Sequence, residues 1–149
     1  MSDLIKISKK DMCTVRNHFS FYDFSEQSSI ENSNIVVEFN SEKVVTYSEL
    51  HLGKSKKTCS LYRSLKKNRI KNKFGGGIQL SCNDKLLFSF LDSNLKYNSF
   101  FNILLPDSRI VITPTDHMDI FFDAENVEEV KADLKKLLYK NNFFNIRFL

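Results

Sequence analysis

Residues 101–124 read FNILLPDSRIVITPTDHMDIFFDA, three runs rich in β-branched and aromatic residues separated by chain-breaking signals. Pro106-Asp107 divides the run ending at Leu105 from Arg109–Thr113, and Pro114 divides that run from Met118–Phe122. Short strands joined in succession by such breaks predict an antiparallel meander. Upstream, Ile78–Cys82 and Lys85–Leu91 flank the tight-turn dipeptide Asn83-Asp84, and Ser93-Asn94 precedes Leu95–Leu105. The meander is therefore expected to run from residue 78 to residue 122.

Outward from this core, Val127, Val130, Leu134, Leu137 and Leu138 recur at helical spacing, which predicts a helix over 126–140. Asp123, Glu125, Glu128 and Glu129 fall towards its positive end and Lys140 at its negative end. Phe143–Leu149 reads as a terminal strand. In the first half, Ser8-Lys9-Lys10-Asp11 has the form of a capping box. Met12, Val15, Phe19 and Tyr22 then place a short amphipathic helix over 9–22. Ser25–Ser33 is polar and turn-like, and the runs Asn34–Asn40 and Lys43–Tyr47, parted by Ser41-Glu42, predict a hairpin. The expected fold is a single α+β domain over 1–149: an antiparallel sheet of about six or seven strands, with two or three helices on one face or at one end.

A chain of 149 residues can bury roughly 70% of its unfolded surface in a core without disulfide staples. Its 42% hydrophobic content and fourteen Phe, with only four Gly and two Pro, exclude a disordered or fibrous chain. Cys13, Cys59 and Cys82 are odd in number and widely spaced, which suits free thiols and a cytosolic address. The N-terminus shows no signal-peptide pattern, and no run approaches the ~18 apolar residues of a membrane span.

Charge is distributed far less evenly than hydrophobicity. Residues 1–53 carry five basic and eight acidic side chains, residues 54–83 nine and none, and residues 84–149 eight and ten. Lys54, Lys56, Lys57, Arg63, Lys66, Lys67, Arg69, Lys71 and Lys73 therefore form a basic insert in a mildly acidic body. On a helical wheel from Ser55, Thr58, Leu61, Tyr62 and Leu65 share one side, with Lys56, Arg63, Lys66 and Lys67 opposite. That pattern predicts a basic amphipathic helix ending in a loop over 68–77. Concentrated charge of this kind attracts a phosphate backbone, anionic lipid or an acidic protein face. The candidate partner-binding residues are Lys56, Lys57, Arg63, Lys66, Lys67, Arg69, Lys71 and Lys73. The helix has no Trp, and its apolar side suits the core better than a membrane.

No complete chemical motif accompanies this segment. Ser48-Glu49-Leu50-His51-Leu52-Gly53-Lys54-Ser55 has the Gly-Lys-Ser tail of a phosphate-binding loop but Ser48 where the opening glycine is required. Asp116, His117, Asp119 and Asp123 form the one His–carboxylate cluster, and in a strand His117 and Asp119 would share a face as a general-base or hard-metal pair. His18-Phe19-Ser20 offers one half of a paired His-x-Ser motif that has no second copy. The cysteines lack chelating spacing. Gly75-Gly76-Gly77 suits either an anion-binding nest or, preferably, a turn into the following strand.

Three classes of function are consistent with these features. The first is a small cytosolic inhibitor that binds a protein partner with an acidic surface, such as an immunity protein neutralising a toxin of the polymorphic or contact-dependent type, with no catalytic residue, metal or cofactor of its own. Its support is the compact domain and the one charged face suited to steered docking. The second is a nucleic-acid-binding module using segment 54–73, where Tyr62 and Phe74 could stack on bases. The third is an enzyme built around His117 and Asp119.

Overall fold

A computed structural model describes residues 4–26, 29–38, 60–65, 75–81, 101–114, 119–140 and 145–148. These residues form strands β1 (Leu4–Ile7), β2 (Ile35–Glu38), β3 (Ser60–Leu65), β4 (Gly77–Ser81), β5 (Phe101–Leu105), β6 (Ile110–Pro114), β7 (Asp119–Ala124) and β8 (Asn145–Phe148), with helices α1 (Lys9–Asn17) and α2 (Val127–Lys140). The described strands make one eight-stranded sheet in the order β1-β4-β3-β5-β6-β7-β2-β8. Every pairing is antiparallel. The protein is thus α+β, as expected, although the described strands outnumber the six or seven anticipated.

The meander 101–124 is present. β5, β6 and β7 pair in succession, with Ile103 opposite Ile112 and Ile112 opposite Phe122. α2 matches its sequence pattern closely. Val130, Leu134, Leu137 and Leu138 are buried, and Asn126 Oδ1 accepts the Glu129 amide at 3.4 Å as an N-cap. Burial of each such side chain contributes about 1.5–3 kcal/mol. In α1, the Ser8 hydroxyl oxygen accepts the Asp11 amide at 3.2 Å and donates to Asp11 Oδ2 at 3.0 Å.

The helices lie on opposite faces of the sheet, which corrects the expectation of one face or one end. α2 covers Ile35, Val37, Ile103, Leu105, Ile110, Ile112, Ile120 and Phe122. α1 and the turns after it place Met12 and Phe19 over Leu104 and Val111, the intervening positions of the same strands. Successive strand residues point to opposite faces, so runs such as Ile103-Leu104-Leu105 are buried from both sides.

Local pairing expectations are corrected in several places. α1 ends at Asn17 rather than residue 22. Beyond it, the His18, Phe19 and Tyr22 amides bond three residues back, to Val15, Arg16 and Phe19. These tight turns still deliver Phe19 and Tyr22 to the α1 cluster. The hairpin expected over 34–47 does not form at Ile35–Glu38, because β7 and β8 occupy both edges of that strand. Likewise β1 and β3 flank β4, leaving no edge for Lys85–Leu91. The partner runs 43–47 and 85–91 lie outside the described residues. β1 itself had no counterpart in the sequence reading. The terminal strand is present as β8, paired with β2.

The basic amphipathic helix is overturned over its described part. Ser60–Leu65 is strand β3, with Arg63 registered between Ile78 of β4 and Ile103 of β5. Leu61, Tyr62 and Leu65 satisfy helical spacing, but Ser60–Leu65 also fits a strand. Ladders on both edges outweigh a local helical preference of a few tenths of a kcal/mol per residue.

Candidate functional site

The basic segment occupies a defined place in the topology. Ser64 near the end of β3 pairs with Gly77 at the start of β4, so residues 66–76 connect two adjacent antiparallel strands. Lys66, Lys67, Arg69, Lys71 and Lys73 belong to that connection. Their own placement, and that of Lys56 and Lys57 ahead of β3, lies outside the described residues. The base of the connection is fixed by local chemistry. Arg16 Nη2 donates to the Gly75 carbonyl at 2.8 Å, and a Cβ on Gly76 would stand 2.6 Å from the Ile7 carbonyl oxygen. Gly76 is therefore required by the close approach of β1, which supports the turn reading of the glycine triplet. Burial pushes the Arg16 guanidinium down from its usual range, opposed by Cys13. It also lies 5.9 Å from the centre of the Phe24 ring.

The carboxylates of the second cluster separate. Asp119 and Asp123 are both buried in β7, four residues apart on the face opposite α2. At strand rise this is roughly 13 Å, too far for a shared proton or ion. Asp123 accepts the Ser33 hydroxyl at 3.4 Å and the Asn34 amide at 3.3 Å, so it ties the residues leading into β2 to the end of β7 rather than starting α2. Asp116 and His117 lie outside the described residues, as does Ser48–Ser55 with its Gly-Lys-Ser tail. Among the described residues no group of three or more His, Cys, Asp or Glu side chains is placed to hold a metal ion. Cys13 is exposed on α1 as a free thiol.

The two sheet faces differ chemically. The α2 face is apolar, whereas the α1 face also buries Asn102, Thr113, Asp119 and Asp123. Thr113 Oγ1 donates to Asn102 Oδ1 at 3.0 Å, and the Tyr22 hydroxyl lies 3.5 Å from Thr113 Oγ1. At one end of this polar face is a cleft of about 390 Å³. The turns after α1 supply Phe21, Tyr22, Asp23 and Glu26 to it, while the ends of β2 and β7 supply Asn34, Asp123 and Glu125.

Each wall of the cleft is locally braced. Asp23 accepts the Ser25 amide at 2.9 Å. The Asn34 side chain bonds both backbone groups of Ala124, Nδ2 to O at 2.9 Å and N to Oδ1 at 3.1 Å, extending the β2–β7 ladder by one rung. Arg109 Nε meets Glu125 Oε2 at 2.7 Å, and its guanidinium sits 5.6 and 5.8 Å from the Phe19 and Phe21 ring centres. The hydrogen bond from Arg109 holds the Glu125 carboxyl below the usual carboxylate range. The sequence reading saw residues 25–33 only as a polar turn. The cleft depends on contacts between residues about ninety positions apart, which no local pattern reveals.

No known protein family matches this chain, and no curated protein or solved structure matches it either. No described helix is long and apolar enough to cross a membrane.

Proposed function

We propose that this chain is a small cytosolic, non-enzymatic protein that binds and blocks another protein, an immunity partner of a toxin of the polymorphic or contact-dependent type. Segment 54–73 meets an acidic surface on that partner. The observation that carries this reading is the gathering of Lys66, Lys67, Arg69, Lys71 and Lys73 in the single connection between β3 and β4. A charged connection between paired strands presents its charge without disturbing the sheet that carries it, and such a patch accelerates encounter with an oppositely charged face.

Arg63, registered inside the sheet, is set apart from the other seven candidates when the surface is tested. Reversal of Lys66, Lys67 and Arg69 to Glu should leave the melting temperature nearly unaltered. The association rate with a cognate toxin domain should fall about tenfold or more and lose its salt dependence. Neutralisation of that toxin should weaken in parallel. An unchanged rate for the triple variant would remove the segment as the docking surface. Binding that vanishes after nuclease treatment, with log affinity falling linearly in log salt for a duplex DNA or RNA probe, would establish the nucleic-acid reading instead.

A further inference from the structure

The cleft on the α1 face goes beyond the basic segment in both place and chemistry. It opens where β7 ends and β2 begins, whereas the connection 66–76 joins the end of β3 to the start of β4, at the opposite end of the sheet. Its described lining includes Asp23, Glu26, Asp123 and Glu125 and, among the described residues, no basic side chain. These carboxylates are too dispersed to close on a metal ion. Dispersed acceptors beside aromatic walls suit a larger, delocalised cation.

The protein itself holds one such cation at the rim. The Arg109 guanidinium rests on Glu125 and over Phe21, a carboxylate and a ring that both line the cleft. Tyr22 and Glu26 supply a second aromatic and a second carboxylate to the same cleft. Glu26 is exposed and makes no side-chain hydrogen bond or ion pair with another described residue. A volume of about 390 Å³ falls at the lower end of the range for clefts that engulf a ligand group.

We propose that this cleft is a docking surface for a protein partner and receives an arginine side chain from it, the incoming guanidinium lying against Tyr22 and pairing with Glu26. Charge complementarity selects a cation, and the planar fork of arginine matches a ring and a carboxylate together better than the point charge of lysine does.

The test uses the full chain and three blocked pentapeptides, Gly-Gly-Xaa-Gly-Gly with arginine, lysine or citrulline at the centre, followed by amide chemical shifts. The arginine peptide should bind with a Kd of about 1 mM and shift the amides of Phe21, Tyr22, Glu26 and Asn34. Lysine should bind several-fold more weakly, and citrulline, isosteric but neutral, about tenfold more weakly or not at all. Glu26→Gln, at an exposed position, should keep the melting temperature and weaken arginine binding roughly three- to tenfold. Shifts confined to other surfaces, equal binding of citrulline, or full affinity in Glu26→Gln would each overturn the proposal. So would concentration-dependent self-association that perturbs the same amides, since the occupant would then be a second copy of this chain. None of these results depends on Lys66, Lys67 or Arg69, so this surface and the basic one stand or fall separately.

Discussion

Arg109 is held in the left-handed backbone region, with φ at 54°, where a non-glycine residue is strained by about 1 kcal/mol or more. Its side chain compensates through Glu125, Phe19 and Phe21, while its carbonyl accepts the Glu125 amide at 3.0 Å. Arg109→Ala should keep the strain and lose the contacts, whereas Arg109→Gly loses the same contacts but relaxes the backbone. The glycine variant is therefore expected to be the more stable of the two by about 0.5–1 kcal/mol in urea denaturation. An alanine variant equal to wild type would refute this account of the residue. Glu125 adds a pH dependence. Its folded value lies below its unfolded one, so its contribution is complete above about pH 4.3 and is lost as pH falls through the lower folded value. The melting-temperature gap between wild type and Glu125→Gln should thus be widest near neutrality and narrow below about pH 4. A gap that stays constant down to pH 3 would show that the Arg109 pairing does not act through this proton.

At the scale of elements, α2 and β3 show when a local pattern suffices. In α2 the apolar spacing, the acidic first turn and Lys140 in the last turn all favour one state, and the buried stripe is the one the sequence marks. Leu134, fully buried among Leu137, Leu138 and the sheet, should cost about 3 kcal/mol when changed to Ala. Leu134→Asp should leave no cooperative unfolding transition, because an unpaired charge would enter an apolar layer. A stable, cooperatively melting aspartate variant would disprove the packing of α2. The helical spacing of Leu61, Tyr62 and Leu65 carries no such redundancy, and β3 forms where β4 and β5 offer ladders on both sides. Pairing fails for the same reason at β2 and β4. Turn residues can mark where a chain reverses, but the partner is chosen by distant strands that compete for the edges.

Across the whole molecule, two-sided cover is the property that sequence patterning half disclosed. Ile103-Leu104-Leu105, Ile110-Val111-Ile112 and Ile120-Phe121-Phe122 are unbroken apolar triplets rather than alternating ones, and an antiparallel strand reads that way when both faces are covered. The basic segment was equally plain in composition. The cleft was not, because it draws on regions of the chain that the β2–β7 pairing and the packing of the turns after α1 on the sheet bring together. The same two-sided cover ranks the strands by stability. Ile103, Leu104, Leu105, Ile110, Val111, Ile112 and Phe122 are fully buried, and exposing their amides requires the loss of both hydrophobic clusters at once. β1 and β8 lie at the ends of the described sheet, with Ile5 58% exposed and β8 alternating between exposed and half-buried residues. Native-state hydrogen exchange should therefore show the hydrogen-bonded amides of β5, β6 and β7 opening only with global unfolding, with a urea dependence equal to the equilibrium slope. Amides of β1 and β8 should exchange through local opening with little urea dependence, even though β8 contributes to the α2 cluster through Ile146 and Phe148. If β8 proves as protected as β6, its outer edge is paired, and the ranking of the strands by cover must be abandoned.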